Sequence, residues 1–127
     1  MCNKCSNKKI TVVDDDPDIL QAIQLLLEGA GYQVTTSNTG DQLLHEEIKE
    51  IPDLILLDIL LSGIDGREIA YTIKHNQRTQ HIPIIMVSAH PNAKKSALQY
   101  GADYFLPKPF SIDVLLHTVH RFISHST

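Results

Sequence analysis

The sequence predicts an α/β domain, a doubly wound parallel sheet with helices on both faces. Short apolar runs alternate with amphipathic stretches of helical period along the chain, the pattern of repeated strand–helix units. Two of the runs, 54–57 and 84–87, hold no polar residue, as expected of central strands covered on both faces. The runs also end alike. Asp14, Asp15 and Asp16 follow the first, Asp58 follows 54–57, Ser88 follows 84–87, and Lys108 stands between Pro107 and Pro109 after a last short run. In open parallel sheets the ligand site lies beyond the carboxyl ends of the strands, and all of these polar groups fall there.

The elements follow in order. Residues 10–13 read as a buried strand. Asp16 and Pro17 start a helix: the aspartate is an N-cap that accepts backbone N–H bonds, and proline presets φ at the first helical position. Ile19, Ala22, Ile23, Leu26, Leu27 and Ala30 recur at helical spacing, and Gly29 and Gly31 supply the stop. Residues 32–36 alternate as a strand with β-branched members. Asn38 or Thr39 caps a second helix carrying Leu43, Leu44 and Ile48. Pro52 and Asp53 punctuate before the strand at 54–57. Gly63 and Gly66 flank a loop, and a third helix carries Ile69, Ala70 and Ile73. Pro83 precedes the strand at 84–87. Pro91 and Asn92 open a fourth helix with Ala93, Ala97 and Tyr100 on its apolar face, stopped by Gly101. Residues 104–106 form a short fifth strand. Ser111 caps a fifth helix whose apolar face is Leu115, Leu116, Val119, Phe122 and Ile123.

The 127 residues suffice for one domain that buries its core without staples. The expected limits are a flexible polar tail at 1–8 and a single domain at 9–125. A net charge of -4 excludes unassisted nucleic-acid binding, which needs a basic face. No apolar stretch has the length of a membrane span, and the first nine residues hold no apolar signal region, so the expected location is cytoplasmic. Cys2 and Cys5 share a C-x-x-C spacing, but without a following helix or further ligands they read as part of the tail. His117 and His120 share a helical face and are expected to be solvated.

Which chemistry fits these strand ends? No Gly-rich phosphate loop follows the first strand, and no serine sits in a nucleophile elbow. What remains is a carboxylate cluster with a lysine and a hydroxyl. Converging acidic oxygens repel one another unless a hard divalent cation stands among them. A carboxylate can also attack phosphorus to give an acyl phosphate, with metal, ammonium and hydroxyl sharing the equatorial oxygens. Asp58, alone at the end of the most apolar run, is the best candidate nucleophile.

At these residues the chain resembles the receiver domain of two-component response regulators. The matching pieces are Val12-Val13-Asp14-Asp15-Asp16, Asp53-Leu54-Ile55-Leu56-Leu57-Asp58, Gly63-Ile64-Asp65-Gly66, Ile82-Pro83-Ile84-Ile85-Met86-Val87-Ser88-Ala89 and Gly101-Ala102-Asp103-Tyr104-Phe105-Leu106-Pro107-Lys108-Pro109-Phe110. The resemblance implies a flavodoxin-like (βα)5 sheet of strand order 2-1-3-4-5. It implies that Asp58 takes a phosphoryl group from a sensor histidine kinase or a histidine phosphotransfer protein, with Mg2+ (or Mn2+) bound. Asp15 is then a direct metal ligand, Asp14 holds the ion through water, and Asp58 and the backbone carbonyl of Leu60 complete the protein ligands. Ser88 and Lys108 contact the phosphoryl oxygens, and the bond before Pro109 is expected to be cis, aiming the lysine at the site. After phosphorylation Ser88 moves toward the new oxygens and Phe105 rotates inward. This biases the face made by the fourth helix, fifth strand and fifth helix, where a downstream protein effector docks.

Three positions depart from the family pattern. Ser62 stands where a proline is common, Leu60 places an apolar side chain beside the phosphoryl group, and His90 flanks it from the other side. A phosphohydrolase of the haloacid-dehalogenase kind would need a second aspartate at the Leu60 position, so at most slow self-dephosphorylation is expected rather than enzymatic turnover. A binding module that has kept only the fold is the other alternative, and the intact set Asp14, Asp15, Asp58, Ser88 and Lys108 argues against it. The chain ends just after the fifth helix, so the expectation is a stand-alone receiver, with a piece of a longer regulator as the alternative.

Overall fold

A computed structural model describes residues 8–38, 51–61, 63–90 and 92–124. In chain order the elements are β1 (Lys9–Val13), α1 (Pro17–Gly29), β2 (Gln33–Ser37), β3 (Leu54–Asp58), β4 (Leu60–Leu61), β5 (Ile64–Asp65), α2 (Gly66–Lys74), β6 (Ile84–Ser88), α3 (Ala93–Gln99), β7 (Tyr104–Pro107) and α4 (Ile112–Ser124). The expected second helix with Leu43, Leu44 and Ile48 lies outside the described residues, as do the cysteine-bearing stretch at 1–7 and Ser62.

Five strands form one sheet in the order β2-β1-β3-β6-β7, all paired in parallel. Numbered among the long strands alone, this is the expected 2-1-3-4-5. β3 is central and every residue in it is buried. Its side chains alternate between two cores. Leu54 and Leu56 face one, with Leu20, Ile23 and Leu27 of α1 and Leu115, Val119 and Ile123 of α4. Ile55 and Leu57 face the other, with Ile69, Ala70 and Ile73 of α2 and Ala97 of α3. A strand covered on both sides has no reason to alternate polar with apolar, which is why 54–57 reads as an unbroken run. Each such side chain contributes about 1.5–3 kcal/mol by leaving water.

α1 begins as expected, with Asp16 accepting from the N–H groups of Asp18 and Ile19 and Pro17 in the first turn. It ends with Gly31 at φ 102°, while the N–H groups of Gly31 and Tyr32 donate to the carbonyls of Glu28 and Leu27. The buried face is Leu20, Ile23 and Leu27, whereas Ala22 and Ala30 are exposed. The leucine the spacing left out wins the core because it removes more apolar area from water than an alanine does.

Two further expectations are corrected. The stretch flanked by Gly63 and Gly66 is a small antiparallel hairpin, β4–β5, with Leu60 opposite Asp65 and Leu61 opposite Ile64. Gly63 has φ 79°, and Gly66 is already the first residue of α2. Tyr100 is not on a buried face: it caps the end of α3 at 41% exposure, and Ala97 carries the helix's burial. The Ser111 cap holds, its Oγ accepting from the Val114 N–H at 3.2 Å. His117 is exposed, and His120, also exposed, brings Nδ1 to 3.5 Å from the Tyr32 hydroxyl.

At the amino ends of the strands Lys74 gathers three elements. Its Nζ donates to the Ile82 carbonyl at 2.7 Å and to Asp103 Oδ2 at 2.8 Å, and that same oxygen accepts from the Ile84 N–H. No helix among the described residues is long and apolar enough to cross a membrane.

Candidate functional site: an acidic pocket with one lysine

The strand order decides which side chains meet. β3 lies between β1 and β6, so Asp58 at its tip has the residues after β1 on one side and Ser88 on the other. β7 lies beyond β6, and the Lys108 N–H donates to the Ser88 carbonyl at 2.8 Å. The long lysine stem then carries its ammonium back over the sheet edge. Nζ reaches 3.2 Å from Asp14 Oδ2 and 3.6 Å from Asp58 Oδ2. The Lys108–Pro109 peptide bond is cis, as expected.

Asp14, Asp15 and Asp58 each bring a carboxylate oxygen within 4.8 Å of the others. Asp14 and Asp58 are buried, at 4% and 7% exposure, and Asp15 opens to solvent. Asp14 Oδ1 accepts from the Asp16 N–H at 2.9 Å, which fixes that carboxylate while Asp16 itself caps α1. Burial pushes the Asp58 carboxyl above its ordinary range. The Lys108 ammonium pulls it down, Asp14 pushes it up, the Leu60 backbone N–H pulls it down, and Asp15 adds a smaller push upward. Asp14 and Asp58 thus share one ammonium, and Asp15 adds a third carboxylate beside them. The donor set is all oxygen and carries an excess of negative charge, which suits a hard divalent cation, and Asp14, Asp15 and Asp58 are the side chains that would hold it.

Ser88 is buried, and its Oγ accepts from the His90 N–H at 3.0 Å, leaving its own O–H as a donor. Phe105 stands at 6% exposure in the core shared with Met86, Ala97 and Ala102, so the ring occupies the inward position in this structure. Leu60 turns outward at 56% exposure, two residues beyond Asp58.

The strand-end pattern did not single out the segment beyond β3. The Gly66 N–H donates to the Ile59 carbonyl at 2.7 Å. A Cβ at Gly66 would run into the Asp58 carbonyl oxygen and lie 2.9 Å from Ile59 Cα. The signal was present as a glycine in the first turn of a helix, a place where glycine is not needed for helix geometry.

Residues 10–120 match the response regulator receiver domain. The chain belongs to that family. It is 41% identical over 118 residues to the DNA-binding transcriptional regulator NtrC of Salmonella typhimurium, which covers 91% of this chain and 25% of that protein. The chain therefore spans about a quarter of that relative's length. A putative response regulator from Chloroflexus aurantiacus superimposes with a TM-score of 0.87 at 31% identity, covering 93% of this chain and 98% of that one. The receiver domain of sensor histidine kinase PA1611 from Pseudomonas aeruginosa, with magnesium coordinated in its active-site cleft, gives a TM-score of 0.84 at 28% identity over 92% of this chain and 98% of its own. The chain is a receiver module of two-component signalling, with a phosphoacceptor role.

Proposed function

We propose that Asp58 is the phosphoacceptor, that Asp14, Asp15, Asp58 and the Leu60 carbonyl hold a magnesium (or manganese) ion, and that a sensor histidine kinase or histidine phosphotransfer protein is the donor. The observation that carries this reading is the meeting of Asp58, Asp14 and Lys108 at one sheet edge, with Lys108 Nζ 3.2 and 3.6 Å from the two carboxylates. The module is taken to run over 9–125 and to act in the cytoplasm.

In the transfer, one Asp58 carboxylate oxygen forms the new O–P bond as the donor's N–P bond breaks. The electron pair of that bond leaves on the imidazole, which takes up a proton from solvent. The bound cation, when present, neutralises charge on the phosphoryl oxygens. In this proposal Lys108 balances the charge beside Asp58 and the Ser88 O–H donates to a phosphoryl oxygen; the 3.6 Å Lys108–Asp58 ion pair supports the first role. Asp58 must be ionised to attack, so a cation beside it opposes the upward push of burial.

The receiving face for a downstream effector is α3, β7 and α4, which carry exposed Leu98, Ile112 and Val114. Ser88 and Phe105 are the proposed switch residues, and inward Phe105 leaves the movement of Ser88 as the primary event. Catalytic turnover of an external phosphomonoester is not part of the reading, because Leu60 offers no acid or base. Incubation with acetyl phosphate and magnesium tests it. A gain of about 80 Da that disappears in Asp58→Asn supports the assignment. A full gain in Asp58→Asn refutes it.

A further inference from the structure

Arg67 lies outside the acidic pocket, and the phosphoryl chemistry does not use it. Its guanidinium grips two elements at once. Nε donates to Asp65 Oδ1 at 3.0 Å and to Oδ2 at 3.2 Å, and Nη2 donates to Asp65 Oδ2 at 2.6 Å. Nη1 points the other way and donates to Ser96 Oγ on α3 at 2.7 Å. The Tyr100 ring at the end of α3 lies 6.0 Å from the guanidinium carbon. Only the planar fork of arginine can hold a carboxylate in this fashion and still present a third N–H to a second partner.

α3 has little else to hold it. It is 7 residues long, its N-cap Asn92 makes no side-chain capping bond, and Ala97 is its buried residue. Among the described residues, no other side-chain hydrogen bond joins α3 to a different element. The opposite end of the grip reaches the phosphoacceptor strand. Asp65 pairs with Leu60 across the hairpin, and Gly66 is bonded to Ile59 and lies hard against the Asp58 main chain. Residues 58–60, the hairpin, Arg67 and α3 are therefore one continuous set of contacts.

We propose that Arg67 is a clasp that holds α3 against the β4–β5 hairpin in the unmodified domain and carries a change at Asp58 to α3. The first half needs only the contacts just described; the second rests on the phosphoacceptor reading. A short helix with one buried residue sits at the low end of local stability, so one charge-assisted bond decides how often it leaves the body of the domain. The fork is rigid. A shift of Asp65 is either transmitted to Ser96 or breaks the bond, and clasped and unclasped arrangements supply the two-state element that coupling between sites requires.

Amide hydrogen exchange of the full chain tests the clasp in wild type, Arg67→Ala, Ser96→Ala and the double variant, first without any phosphoryl donor. The amides of α3 exchange about fivefold or more faster in each single variant. The double variant is no faster than Arg67→Ala, because both changes remove the same bond, and β3 and β6 keep their protection. Unchanged α3 exchange in both single variants, or single effects that simply add, overturns the clasp. Ser96→Ala decides the matter if Arg67→Ala does not fold, since alanine favours the helix.

The second arm adds acetyl phosphate and magnesium. All four proteins gain about 80 Da, and the change in α3 exchange that accompanies it in wild type shrinks at least twofold in Arg67→Ala. Full mass gain with an undiminished α3 response in the variant, or with no α3 response in wild type, overturns the coupling. No mass gain in any of the proteins refutes the phosphoacceptor reading instead, and the donor-free comparison then decides the clasp alone.

Discussion

Lys108 and Asp14, 94 positions apart in the chain, form an ion pair at 3.2 Å. Asp14 is buried and the lysine side chain is 21% exposed, so this charge pair is shielded from water far more than a surface bridge is. The same ammonium serves Asp58 at the longer distance of 3.6 Å. One ammonium is therefore divided between Asp14, the proposed metal ligand, and Asp58, the proposed phosphoacceptor.

Replacing that cation separates two roles. Lys108→Met is expected to leave magnesium affinity equal or higher, because a competing positive charge is gone from the carboxylates. Phosphoryl transfer is expected to slow by roughly 10²–10³-fold, the scale of losing one preorganised donor to a developing charge. Metal titration by calorimetry, beside phosphorylation time courses, checks both. A variant that loses metal and transfer in the same proportion would show that the lysine only shapes the pocket.

Asp58→Asn is expected to make the metal-free protein more stable at pH 7. The carboxyl is raised in the folded state relative to its unfolded value, so its favourable contribution is present below the unfolded pKa and is lost as pH rises through the folded one. At neutral pH the folded protein holds an ionised group that burial, Asp14 and Asp15 disfavour. Removing it is expected to gain about 1–3 kcal/mol in chelator, the scale of an ill-satisfied buried polar group. The gain shrinks as pH falls toward the carboxylate range. Urea melts of both proteins in EDTA from pH 4 to 8 give the answer, and a variant less stable than wild type at pH 7 contradicts it.

Gly66→Ala is expected to disturb the site as well as the helix. The new methyl meets the Asp58 carbonyl oxygen, a backbone atom that cannot swing aside. Helix propensity alone favours alanine by about 1 kcal/mol, so a net loss of stability isolates the steric term. A loss of about 1–3 kcal/mol is expected, as for overpacking elsewhere in cores. Slower phosphorylation should accompany it, read from thermal melts and mass spectra of the same samples. An unchanged or raised Tm would mean the hairpin yields freely.

Leu60→Asn is expected to speed loss of the phosphoryl group severalfold. Leu60 stands exposed, two residues past Asp58; the prediction is that an apolar side chain there hinders an attacking water that an amide would orient. Phosphate release from the phosphorylated protein measures this directly, and identical decay in the two proteins rejects it.

The strand tips were legible in the sequence because each is announced by a change from a wholly apolar run to a polar residue, as at Leu57–Asp58 and Val87–Ser88. Parallel pairing does the rest: residues far apart in sequence must end side by side once their strands are neighbours. Other features left no such trace. Ala22 and Leu20 both fit a helical stripe, and only the packing of α1 against β1 and β3 decides between them. Two-residue strands are too short to show alternation, so the hairpin carries only the signature of a loop. The reach of Arg67 to Ser96 joins residues 29 apart on separate helices, and no local pattern encodes it.

Lys74 fastens α2, the turn before β6 and the residue before β7 at one end of the sheet, through Ile82, Asp103 and Ile84. The chemistry sits at the other end. A sheet tied at the amino ends of β6 and β7 is expected to yield, where it yields, at the opposite tips, with the ladder between the two strands intact. A rearrangement beside Asp58 is therefore expected to show as a tilt of those tips rather than as a sliding of strands.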